Sequence, residues 1–163
     1  MSAPIVPDVA GEILGWRAWQ VVGEGPYTRL QSVNAHEAFN VPRELCIWPT
    51  DRWMFAVCPR GHTEVPHAGC RCGLYAAETR KFLVEYGYAN YSNTDDDLVM
   101  GVAGLVGKVI PGQQGWKAQR ARVVRLEVPF EKESLARRLG DLYNVPVGLG
   151  YLFADRPQAG YDS

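Results

Sequence analysis

Residues 98–128 constrain the fold more than any other part of the chain. The run L-V-M-G-V-A-G-L-V-G-K-V-I (98–110) is apolar on both faces of an extended backbone, with Gly101, Gly104 and Gly107 spaced through it. It predicts a buried strand, whose glycines allow a bulge or the close approach of another backbone. P-G-Q-Q-G then turns the chain back into W-K-A-Q-R-A-R-V-V-R-L-E-V-P. The end of that segment alternates, with Val124, Leu126 and Val128 on one side and Arg125 and Glu127 on the other. The apolar run is too short, and too interrupted by glycine and Lys108, to span a bilayer.

The remaining segments fit around such a sheet. From Leu14, L-G-W-R-A-W-Q-V-V reads as a strand, residues 23–27 as a Gly/Pro turn, and R-L-Q-S-V as its partner, making a first hairpin. Residues 34–44 have room for one or two helical turns, limited by Pro42. Residues 45–48 and 53–57 read as short strands around P-T-D-R. In 74–86, Tyr75, Thr79, Phe82, Leu83 and Tyr86 share a helical face, and Gly87 supplies a stop. Residues 89–97 read as a polar surface loop with a solvated acidic triplet. A second amphipathic helix is expected over 131–144, burying Leu135, Leu139, Leu142 and Tyr143, and residues 145–153 add a closing edge strand.

The expected fold class is α+β: a mainly antiparallel sheet, capable of a barrel-like arrangement, with two amphipathic helices and a Cys/His zinc loop. Residues 1–10 are expected to form a flexible lead-in, 11–154 a single domain and 155–163 a flexible tail. With 163 residues, 47% of them apolar, the chain can bury a core without disulfides. Its net charge of −1 gives no bulk field that would draw nucleic acid or an acidic membrane. The first residues show no basic segment followed by an apolar core, so no signal peptide is expected and the location expected is the cytoplasm.

In a reducing compartment, clustered cysteines point to metal rather than disulfides. Residues 58–72, C-P-R-G-H-T-E-V-P-H-A-G-C-R-C, hold three of the four cysteines and two of the three histidines. Thiolate and imidazole are the donor set that suits zinc, and a closed four-ligand site contributes folding free energy. The expected ligands are Cys58, His62, Cys70 and Cys72, with His67 and Cys46 as alternatives for the fourth position. The C-x-C spacing of Cys70 and Cys72 departs from the usual two-residue gap and requires a turn at Arg71. Buried free thiols and redox or disulfide chemistry are the competing readings. Cys46, between Leu45 and Ile47, reads as part of a core strand.

Several catalytic patterns fail on inspection. His62-Thr63-Glu64 matches the H-x-E of zinc deaminases, but the later P-C-x-x-C that donates two sulfurs is missing. G-V-A-G-L-V-G-K shares only its last two residues with a phosphate-binding loop, since Val102 and Val109 stand where Gly and a hydroxyl are needed. No G-x-S-x-G or H-E-x-x-H occurs. Trp116, Lys117, Arg120 and Arg122 are candidate nucleic-acid or partner contacts, because cations beside an aromatic ring can meet phosphate and stack on a base. Arg125 points to the opposite strand face, which splits that stripe. The bias of thirteen Arg over four Lys suits carboxylate or phosphate partners, though a GC-rich genome would produce it too.

Four segments, G-W-R-A-W, A-V-C…H…P…C-R-C-G-L-Y-A, G-V-A-G-L-V-G-K-V and G-W-K-A-Q-R-A-R, together resemble a family of small uncharacterised proteins of actinobacteria and the bacteriophages that infect them. The likeness runs from Gly15 to about Val128, and its C-x-C-G-[IL]-Y-A core is its most specific part. It implies a stable shared fold, a structural role for Cys58, Cys70 and Cys72, and an actinobacterial or phage origin. It carries no activity. The expectation is therefore a binding or regulatory protein with a structural zinc, targeting a host protein if phage-encoded. A nucleic-acid module built on residues 116–125, or an enzyme centred on Cys58 or a zinc-bound water, are the alternatives.

Overall fold

The computed structural model describes residues 11–33, 41–86 and 98–150. The expected loop at 89–97, the lead-in, the tail and most of the 34–44 segment lie outside them. Eight strands form one sheet: β1 (Ile13–Val22), β2 (Arg29–Ser32), β3 (Ile47–Trp48), β4 (Met54–Phe55), β5 (Leu74–Ala77), β6 (Leu98–Pro111), β7 (Gly115–Pro129) and β8 (Val147–Gly150). Among the described residues the α-helices are α1 (Arg80–Tyr86) and α2 (Glu133–Tyr143), so the architecture is α+β, as expected.

The long hairpin of β6 and β7 is the backbone of the sheet, and β1 pairs antiparallel along the other edge of β6. β7 also pairs with β5, and β5 returns to β1 through one residue pair, Trp16 with Ala77. The first hairpin is present, with a 3-10 turn at Gly25–Tyr27 between β1 and β2. The short strands around P-T-D-R do not pair with each other: β3 joins β2, whereas β4 joins β7. β8 runs parallel to β7, because α2 carries the chain back along the sheet.

The unbroken apolar character of β6 has a direct cause. Its odd positions Val99, Ala103, Leu105 and Val109 enter a core with Trp19, Leu30, Trp48, Leu126 and the α2 residues Ala136, Leu139 and Tyr143. Its even positions Leu98 and Met100 enter a second core with Ala18, Leu83 and Val84. Both faces are covered, so neither can be polar. Two bulges lie in the β6–β7 ladder. At one, Arg125 pairs with Val102 and Val123 with Ala103, so Val124 is the extra residue. The buried set is therefore Val123, Leu126 and Val128, with Val124 only half-buried, which corrects the simple alternation expected.

Two other expectations are corrected. The helix over 74–86 is only its second half, because Leu74–Ala77 is strand β5, with Leu74 opposite Ala118 and Ala77 opposite Gly115. Pairing on both edges outweighs the high helix propensity of Leu and Ala in L-Y-A-A, which amounts to only tenths of a kcal/mol per residue. Thr79 then starts α1, its hydroxyl accepting the Phe82 N–H at 3.1 Å. Cys46 sits in a 3-10 turn (Arg43–Cys46) before β3 and not within a strand.

Candidate metal centre

The loop between β4 and β5 is positioned at both ends by β7. Met54 and Phe55 pair with Ala121 and Arg120, and Leu74 and Tyr75 pair with Ala118 and Lys117. Between these anchors Cys58, Val65 and Cys72 make a small buried cluster, with Ala56 and Cys70 packed on it. Cys58 opens a tight turn: the Gly61 N–H reaches the Cys58 carbonyl at 3.1 Å, and Gly61 takes φ +90. That positive φ is the reason glycine stands there. The turn aims the Arg60 N–H at the Cys58 sulfur, at 3.4 Å, and returns the chain so that His62 Nδ1 lies 3.2 Å from it. Gly73, at φ +128, gives the corresponding bend after Cys72.

The outcome is a four-donor group. One ligand atom each from Cys58, His62, Cys70 and Cys72 lies within 4.8 Å of all the others, and the Cys58 and Cys70 sulfurs are 3.7 Å apart. All four cysteines are free thiols. Burial pushes the Cys58 thiol up, but the N–H groups of His62 and Arg60 and the side chains of His62 and Cys70 outweigh it and bring it down to about 6. Cys72 is pushed up, chiefly by burial and further by the sulfurs of Cys58 and Cys70 beside it. Three sulfurs gathered with an imidazole, one of them already disposed to ionise, form an arrangement that can hold a metal ion.

The alternatives for the fourth ligand, His67 and Cys46, are not members of this four-donor group. His67 stacks on His62 with centroids 4.0 Å apart, and its Nδ1 accepts the Gly69 N–H at 3.2 Å, which turns that nitrogen into its own loop. Cys46 is buried outside the group, its thiol directed at the carbonyls of Pro42 (3.5 Å) and Val41 (3.9 Å). Burial, only partly offset by Arg43, raises its pKa. Glu64, the candidate acid/base of an H-x-E, is 79% exposed and faces Lys108 at 3.7 Å.

The basic strand is employed inside the molecule. Lys117 donates its ammonium to the carbonyls of His67 (3.0 Å) and Cys70, pinning the loop to β7. This cation beside the thiols is a role that its place in a basic stripe did not reveal. Arg120 and Arg122 lie over the Trp53 ring, 5.7 and 5.9 Å from its centroid, and Arg122 forms a two-pronged ion pair with Glu12. That pair raises the Arg122 pKa. Trp116 packs half-buried against the main core. The bulge at Val124 brings Arg125 to the same strand face as Arg122, which corrects the split expected, and there Arg125 covers Trp16 and bonds Glu127. Among the described residues, no helix is long and apolar enough to cross a membrane. Comparison with protein-family models, with curated proteins and with solved structures finds no match to this chain.

Proposed function

We propose that this chain is a non-enzymatic binding protein whose β4–β5 loop is fixed by a structural zinc ion on Cys58, His62, Cys70 and Cys72. The observation that carries this reading is the four-donor group itself. Zinc–thiolate bonds of about 2.3 Å place two sulfurs of a tetrahedron about 3.8 Å apart, and the Cys58–Cys70 separation is 3.7 Å. Four protein donors complete a tetrahedron and leave no position for a reactive water, which is the pattern of structural sites. The exposed, outward Glu64 supports the same conclusion.

Three thiolates and a neutral imidazole around a dication carry one net negative charge, which Lys117 is placed to offset. The ring of pairings through β1, β6, β7 and β5 supports a barrel-like reading of the sheet that the loop closes over. The resemblance to small actinobacterial and phage proteins favours a cellular or host protein as the partner.

Elemental analysis of protein purified without added metal tests the zinc. The expected value is about one zinc per chain, falling several-fold in Cys70→Ser, with Cys46→Ser unchanged. Less than about 0.2 ion per chain with the thiols of Cys58, Cys70 and Cys72 freely titrating would sink the reading.

A further inference from the structure

A cavity of about 520 Å³ lies beside the cysteine group, between the β4 side of the sheet and β5. Its size falls within the range of small-molecule sites. Its walls combine two features. Leu45, Phe55, Val57 and Tyr75, four of the large hydrophobic residues that the chain leaves exposed, all line it. So do three arginines, Arg17, Arg60 and Arg71, and no acidic residue among the described lining residues.

The arginines are unequal. Arg17 is 5% exposed and held in place: it donates to Ser32 Oγ at 2.9 Å and to the Tyr75 carbonyl at 2.7 Å, and lies 4.8 Å over the Trp48 ring. Its orientation is fixed before any ligand arrives, which lowers the ordering cost of binding. Arg60 and Arg71 are exposed, and among the described residues neither side chain has a hydrogen bond or ion pair. Both ride on the ligand loop, two residues after Cys58 and one after Cys70. Apolar surface left open to water in one cavity with the exposed arginines Arg60 and Arg71 is the complement of a molecule with an apolar body and an anionic head.

From this lining we propose that the cavity binds a small amphipathic oxyanion, a carboxylate or phosphate monoester on an apolar body, with its head at Arg17, Arg60 and Arg71. The body lies along Phe55, Val57 and Leu45. The proposal rests on the cavity and its charges, not on which ion the cysteines hold.

The test titrates purified protein with octanoate, octyl phosphate and octanol, following backbone amide NMR signals of Ser32, Phe55 and Tyr75. At least one of the two oxyanions is expected to shift these amides saturably below about 1 mM, with octanol at least about tenfold weaker. Which oxyanion binds more tightly identifies the head group. Arg60→Glu/Arg71→Glu, on exposed side chains, is expected to weaken binding about tenfold or more with the thermal midpoint unchanged. Equal binding of octanol, no shift from either oxyanion at about 5 mM, or full binding by the double variant would each overturn the proposal. Zinc measured on the same samples separates the two readings: oxyanion binding by zinc-free protein removes the structural zinc and leaves the cavity assignment standing.

Discussion

Tyr143 ties three distant segments together through one hydroxyl. At the end of α2 it accepts the Leu30 N–H at 2.8 Å and donates to the Trp48 carbonyl at 2.8 Å, joining helix, β2 and β3 inside the core. Tyr143→Phe keeps the ring and leaves a buried donor and acceptor without that partner. The expected loss is about 1–3 kcal/mol, or several degrees in thermal midpoint by calorimetry. Burial, against smaller opposing effects of the Leu30 N–H and Arg29, raises the Tyr143 pKa above its usual 10. The folded state therefore holds this proton more tightly than the unfolded chain. Its contribution is complete below about pH 10 and is lost as pH rises through the folded value. Denaturant midpoints of the wild type should thus fall more steeply above pH 10 than those of Tyr143→Phe; parallel curves would refute this. The tyrosine was legible in the sequence as a member of the α2 stripe. Its hydroxyl bridge was not, because both partners lie more than 90 residues away.

Among the elements, the β6–β7 hairpin was read most completely, and its glycines explain why. Gly101 sits next to the bulge at Val124, where an added Cβ would run into the Arg125 carbonyl and lie 3.0 Å from Leu126 Cα. Gly107, at φ +81, occupies the second irregularity, where a side chain would be strained and would meet Gln119. Gly101→Ala should therefore destabilise by about 1–3 kcal/mol, since the obstruction is backbone and cannot swing aside. Gly148→Ala in β8, with nothing within 4 Å of the new Cβ, should stay within about 0.5 kcal/mol. Equal unfolding midpoints for the two variants would refute the steric account. The misread element is β5. L-Y-A-A carries no strong strand signal of its own, and the helical spacing of Phe82 and Leu83 extended naturally backward over it. Only the partners on β7 and β1 make it a strand, and partners are not local information.

At the scale of the whole molecule, the β4–β5 loop has little core of its own, only Cys58, Val65 and Cys72 with two neighbours. The main sheet is packed on both faces. Removal of the proposed zinc by a chelator should therefore act locally first. Amide exchange in residues 58–73 should accelerate while β6 and β7 stay protected. Global stability should drop by about 2.7 kcal/mol if free zinc had stood at a hundredfold its dissociation constant. Uniform loss of protection would show instead that the ion holds the entire fold.

The sequence by itself determined the antiparallel hairpins, the amphipathic α2 and the four candidate ligands, because periodicity, turn residues and donor chemistry are properties of neighbours in the chain. The tertiary structure decided the rest: it brought His62 Nδ1 to the Cys58 sulfur, stacked His67 on His62, left Cys46 buried outside the group and made Leu74–Ala77 a strand. It also placed Lys117 under the loop and the arginines around one cavity. Each of those outcomes depends on pairing or packing between residues far apart in the chain, and no local pattern encodes which distant group a side chain will meet.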